Sequence, residues 1–202
     1  MRLRDLRIAT TLALLLVGLA LNDGYAQDGN AVGGSAESAE DGNALGGVEV
    51  TLTADPSIND TTRDEDGVYT IKVPASLEKF SLVFSKIGYL DTQDPDVPNG
   101  EQQQKRPIAR MTPESSLNLL VREDVSAVGE IASTSIKAVR VGVEMEDWVL
   151  FRSARTNLVL LQRSISDFVG GIDEPVSGEL ETTLVRVQGV LEDTRPFVES
   201  TN

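Results

Sequence analysis

The sequence predicts an α+β protein, a small antiparallel β-sandwich followed by a C-terminal helical hairpin or small bundle. Three observations predict it. Apolar residues alternate with period two between Val48 and Thr112. At Thr112-Pro113 the apolar spacing changes to three and four. Ahead of both lies a Gly, Ala, Ser, Asp and Asn stretch with little to bury. Period two marks strands covering a core on one side, and spacings of three and four mark an amphipathic helix.

Residues 1–26 read as a cleaved secretory signal peptide. Arg2, Arg4 and Arg7 form a positive start, and an uncharged apolar run follows from Ile8 to Leu21. That run suits a signal core and falls short of the ~20 residues of a membrane span. Gly24 and Ala26 put small side chains before a cleavage point at Gln27. The competing reading is an uncleaved anchor. No second apolar run of this length follows, so no transmembrane span is expected in the mature chain. Residues 27–40 are expected to be a flexible leader. Asp28–Gly34 and Asp41–Gly47 form a near repeat, too few copies for a solenoid.

The strand region covers residues 41–113. Val48, Val50 and Leu52 alternate with Glu49, Thr51 and Thr53. Tyr69, Ile71 and Val73 alternate with Thr70 and Lys72. Phe80, Leu82 and Phe84 alternate with Ser81 and Ser85, while Val83 is apolar on the other face. Asp55-Pro56, Asp66-Gly67 and Pro74-Ala75 supply turn chemistry between the runs. Asp66-Gly67 is expected to be a hairpin turn. Ile108 to Met111 is a fourth apolar spot. Asp91 to Lys105 is polar and Pro-containing and is expected to be a long surface loop.

The helical region covers residues 114–202, about 114–169 and 176–194. Thr112-Pro113-Glu114 is a helix start, with a hydroxyl cap, a Pro where no donor is needed and an acid at the positive end. An apolar stripe then runs from Leu117 to Phe168. It is long for one globular helix, and Gly129, Gly142 and the β-branched Val139–Val143 stretch mark places for a break. Two or three helices are expected, with a coiled coil as the alternative. Gly170-Gly171 and Pro175 end the first part, and Pro196 stops the second helix.

Composition excludes several chemistries. The chain has no His and no Cys. That removes Ser-His-Asp and thiol catalysis, His-based zinc and any disulfide framework. The formal charge is −14, and the basic first 26 residues leave the remainder more acidic still. Such a surface repels phosphate backbones, so nucleic acid is not expected as a partner. Aromatic residues make up only 4%, too few for the platforms of a sugar-processing cleft.

The segment from Asp41 to Pro113 resembles the carboxypeptidase regulatory-like domain, a transthyretin-like, Ig-like β-sandwich. Asp41–Leu52 resembles that family's opening turn and second strand. Thr61–Ile71 resembles its central hairpin, Val83–Tyr89 its strand ending in Gly-Tyr, and Ile108–Pro113 its last strand. The family's first strand is apolar-alternating, whereas here Gly34–Glu40 stands in its place. The resemblance implies a non-catalytic module used as a folding aid, spacer or recognition platform.

No catalytic or cofactor site is expected. Asp91, Asp94, Asp96 and Glu101 are weak calcium candidates, since loop carboxylates and carbonyls suit a hard cation; a solvated acidic loop is the favoured reading. Asp60, Asp64, Asp66 and Gly67 fail calcium-loop spacing, because Val73 stands where a bidentate Glu is needed. Asn59-Asp60-Thr61 is a glycosylation sequon. Trp148 is expected in the helical core and Tyr69 in the sandwich core. Together these observations imply an exported, non-enzymatic binding or accessory protein of the cell envelope, periplasmic or extracellular and bacterial. Its helices would self-associate or dock a protein partner. The alternative is a carrier whose helical bundle encloses a small apolar ligand between Leu158, Leu161, Ile165 and Phe168 and the second helix.

Overall fold

A computed structural model describes residues 29–100, 103–171 and 177–200. The expected signal peptide, Glu101 and Pro175 lie outside the described residues. Eight strands form two four-stranded sheets: β1 (Gly29–Ser38), β2 (Glu49–Leu52), β3 (Asn59–Thr61), β4 (Val68–Pro74), β5 (Lys79–Ser85), β6 (Thr92–Pro98), β7 (Gln103–Lys105) and β8 (Ala109–Met111). One sheet runs β4-β1-β7, with β8 also paired to β1; the other runs β3-β2-β5-β6. The second sheet is antiparallel throughout, but β7 and β8 pair parallel to β1. The architecture is therefore α+β, as expected, with one mixed sheet in place of a purely antiparallel pair.

The expected flexible leader at residues 27–40 is corrected by the structure. Gly29–Ser38 is the central strand of its sheet, pairing β4 antiparallel from Gly29↔Pro74 to Ser35↔Val68. Only Val32 and Ala36 of its apolar residues need to reach the core, and both are buried. Small residues elsewhere let neighbours close in. A Cβ on Gly34 would sit 2.9 Å from the Tyr69 hydroxyl, because the Tyr69 ring lies over this glycine. Backbone pairing supplies what side-chain burial does not.

The expected loop at Asp91–Lys105 is corrected too. It contains β6 and β7, separated by a short connection. Gln93 and Val97 of β6 are buried, and β6 pairs β5 through Leu82↔Asp94 and Phe80↔Val97. The register shifts between those pairs, and Asp96 adopts φ 59°. Pro95 sits in this irregularity on an edge strand, where a missing N–H is tolerated. Asp66-Gly67 does form a turn, with Gly67 at φ 64°. It joins β3 and β4, which belong to opposite sheets, so it turns a corner of the sandwich and is not a paired hairpin.

Tyr69, Ile71, Val73, Phe80, Leu82 and Phe84 fill the space between the sheets with Val48, Val50, Leu52 and Met111. Tyr69 meets Phe84 edge to face at 5.4 Å between ring centres. Thr62 stitches this core to its rim. Its hydroxyl accepts from Val48 N at 2.9 Å and donates to the Leu45 carbonyl at 2.6 Å.

The helical region opens with a 3₁₀ turn at Glu114–Ser116. Helices α1 (Leu117–Glu123), α2 (Val125–Glu144), α3 (Trp148–Gly170), α4 (Gly178–Asp193) and α5 (Arg195–Ser200) follow. The long stripe is broken twice, each time at an Asp. Asp124 caps α2 by accepting from Ala127 N, and Asp147 caps α3 by accepting from Leu150 N. The second break falls at Met145–Asp147, just past the Val-rich stretch. Gly142 is not the break. It is where α2 and α3 come close, since a Cβ there would lie 2.9 Å from the Phe151 backbone nitrogen. Pro196 does not end a helix; α4 stops at Asp193, and Pro196 falls in the first turn of α5, where its missing donor costs little. Trp148, Phe151 and Phe197 then form an aromatic cluster, with centroids 5.7 to 6.4 Å apart.

The helices rest on the sandwich. Val83 and Leu90, from β5 and the segment before β6, are buried in the same cluster as Val128, Leu150, Leu158, Leu161, Ile165 and Val187. This explains the apolar outer face seen at Val83: β5 is covered on both sides.

Candidate functional site

The seam between sheet and helices carries most of the buried polar contacts between the two regions. Asn157 of α3 donates from Nδ2 to the Asp91 carbonyl at 2.6 Å. Gln93 of β6 donates from Nε2 to Ser153 Oγ at 2.9 Å and to the Asp91 carbonyl at 3.1 Å. Thr53 donates to the Asp147 carboxylate, tying the sandwich to the cap of α3. Each of these bonds joins an apolar contact to a specific orientation, because an unmade bond at a buried site costs about 1–3 kcal/mol.

A cleft of about 420 Å³ opens along this seam. Its floor is the start of β6, its walls are α1, α2 and α3, and the end of β8 closes one side. Leu90, Leu120 and Ile131 give it apolar surface. Asp91, Asp124 and Glu130 bring carboxylates, and Asn157, Gln93 and Ser135 bring buried polar groups. Arg110 also lines it, but its Nε donates to Glu37 Oε1 at 2.8 Å.

The calcium candidates are placed in separate contacts. Asp91 accepts from Ser85 Oγ at 2.8 Å. Asp94 is held by both Nε and Nη2 of Arg106, at 2.7 and 2.9 Å. Asp96 lies 2.8 Å from Lys79 Nζ, and this hydrogen bond keeps the Lys79 ammonium protonated above its ordinary range. Glu101 lies outside the described residues. Among the described residues no three acidic side chains gather as a metal site. Asp60, on β3, accepts from Thr70 N of β4 at 2.7 Å, and Asp66 serves the turn between them, accepting from Val68 N at 3.0 Å. Asn59 of the sequon is exposed on β3.

Of the cleft residues, only Asp91 is a site candidate from sequence. Asn157 and Ser135 fall on the apolar sides of their helices, and a polar residue interrupting an apolar stripe is the one signal the sequence offers. Leu158, Leu161 and Ile165, the residues expected to enclose an apolar ligand, are fully buried in the shared core, and Phe168 packs against it.

No protein-family model matches this sequence, and no curated protein matches it. Among solved structures, part of the chain is similar to a type II cohesin–X-dockerin complex from Acetivibrio cellulolyticus carrying an N-terminal interface mutation. Identity is 16% over 42% of this chain and 56% of that one, with a TM-score of 0.34. The C-terminal interface mutant of the same complex gives 16% identity, the same coverage and a TM-score of 0.33. The C-terminal domain of the PapC usher matches at 15% identity, covering 42% of this chain and all of that one, with a TM-score of 0.28. The match thus spans just over half the length of the cohesin–X-dockerin chains. Among the described residues, no helix is long and apolar enough to cross a membrane.

Proposed function

We propose that this chain is an exported, non-enzymatic binding or accessory protein of the cell envelope, working as one body with its recognition surface at the seam cleft. The observation that carries this reading is the docking of the helices. Their apolar stripe is consumed within the chain, between the helices and on Val83 and Leu90. Self-association is then not required to cover it. The seam cleft, walled by both regions and lined with polar groups, is open to a partner. The lack of His and Cys supports a binding role over catalysis. The signal-like residues 1–26 support export, and the motifs between Asp41 and Pro113 support a carboxypeptidase regulatory-like sandwich as the platform.

Two measurements test this. Light scattering after size exclusion should give a monomer for the full chain. A photo-crosslinking residue at Thr134, on the cleft wall, should yield a defined adduct in the native envelope or medium fraction, and the same residue at Lys72, on β4, should not. Adducts at Lys72 alone would move the recognition surface to the opposite sheet.

A further inference from the structure

We infer that the seam cleft binds a primary ammonium group on a short apolar stem. This rests on the reading of the cleft as a recognition site and adds the chemistry it selects. The deciding residue is Asn157, which is 3% exposed and lines the cleft. Its Nδ2 is fixed by donation to the Asp91 carbonyl, which sets the amide orientation and leaves Oδ1 as the free end. Oδ1 accepts no hydrogen bond from the described residues. It is also not among the buried atoms sealed from solvent without a partner, which among the described residues are Tyr69 Oη and Arg155 Nε. An unpartnered oxygen that solvent reaches, on a side chain lining this cleft, opens into it.

Gln93 repeats the pattern. It is 5% exposed, its Nε2 is used by Ser153 and Asp91, and its Oε1 accepts nothing from the described residues. Gln93 Nε2 therefore spends both its hydrogens on the protein and Asn157 Nδ2 one of its two, while both amide oxygens are left as acceptors. Glu130 and Asp124 add negative charge at the exposed rim. The one cationic side chain on the lining, Arg110, is paired to Glu37. A site rich in free acceptors selects a ligand that only donates, and an ammonium has three donors and no acceptor. Leu90 and Ile131 supply contact for a few methylenes. A volume of about 420 Å³ holds a small ligand of that kind or one lysine side chain from a partner.

The test titrates the full chain with 1,5-diaminopentane, capped lysine (Nα-acetyl-lysine methylamide), 1-pentanol and pentanoate at constant ionic strength. The readout is the ¹⁵N–¹H shifts of the Asn157 and Gln93 side-chain amides. The inference expects saturable shifts at these amides with an amine and none with the alcohol or the acid. Stronger binding of the diamine identifies a free small amine as the source; stronger binding of capped lysine identifies a partner's lysine. Glu130→Gln should weaken the amine about threefold by removing a rim charge, while Glu49→Gln, a change to an acid on β2, should not. Absence of saturation with both amines overturns the inference, as do shifts spread evenly over the acidic surface. If the amines fail while Thr134 still crosslinks a partner, only the ligand chemistry falls; if both fail, the cleft is not the recognition site.

Discussion

β4 and β5 have the same length but differ in burial. In β4 (Val68–Pro74) Tyr69, Ile71 and Val73 are buried, and Thr70 and Lys72 between them are exposed. In β5 (Lys79–Ser85) five consecutive residues, Phe80 to Phe84, are all buried. Both strands face the same sandwich core with Tyr69, Ile71, Phe80, Leu82 and Phe84. The difference lies on their outer faces. The sheet holding β4 leaves that face to solvent, and the sheet holding β5 carries the helices. A strand covered on two sides has no polar face, and Ser81 is buried accordingly, its hydroxyl accepting from Asp96 N at 3.2 Å. The comparison teaches that the two regions share a boundary strand and should be stable together.

The sharpest way to break this comparison is to cut into each core. Leu82→Ala in the sandwich and Leu158→Ala in the bundle, both fully buried, should each lower stability by about 3 kcal/mol in urea denaturation. Each should shift one common transition and create no second one. Two glycines on α2 should respond with opposite signs. Gly142→Ala drives a methyl into the Phe151 backbone and should cost about 2 kcal/mol. Gly129 has nothing within 4 Å of an added Cβ, so Gly129→Ala should gain about 0.5–1 kcal/mol from helix propensity. Differential calorimetry of the two variants checks both signs.

Asn157→Ala removes the donor to the Asp91 carbonyl at the seam and should cost about 1–2 kcal/mol, seen as a lower urea midpoint in both regions. The smallest effect is expected at Tyr69. Burial, and next the nearby Asp94 carboxylate, push its phenol well above the ordinary 10.0. The folded state thus favours the neutral form, so the Tyr69 contribution to stability is constant below pH 10 and falls as pH rises above that value. Tyr69→Phe should flatten this alkaline decline. At pH 7 it should be neutral or slightly stabilising, because the Tyr69 hydroxyl has no partner among the described residues. Urea midpoints between pH 7 and 11 measure it.

Much of the fold was legible in residue periodicity. The alternations at Val48–Leu52, Tyr69–Val73 and Phe80–Phe84 are strands, and the spacing after Leu117 is helical. Val83 already signalled a second covered face. What stayed hidden has a physical reason in each case. β1 is built from Gly, Ala and Ser and is held by backbone pairing with strands distant in sequence, so no local apolar pattern announces it. β6 carries two prolines and four polar residues because it is an irregular edge strand, and these are the residues that otherwise mark a loop. The helix breaks at Asp124 and Asp147 were legible in principle as caps, but apolar spacing ran past them. The cleft left only a faint trace in the sequence, Ser135 and Asn157 interrupting apolar stripes, since Leu90, Gln93, Ser135 and Asn157 meet only when the bundle docks on β5 and β6.

The most direct test of the shared boundary follows urea unfolding by two probes in one sample. Fluorescence of Trp148, the sole tryptophan, reports the helical cluster with Phe151 and Phe197. Pulsed hydrogen exchange of Val68–Pro74 reports β4, the strand far from the helices. One body held through β5 and the Asn157 seam predicts a single midpoint for both probes. Two separate midpoints, with β4 protected after Trp148 has lost its folded signal, would contradict it.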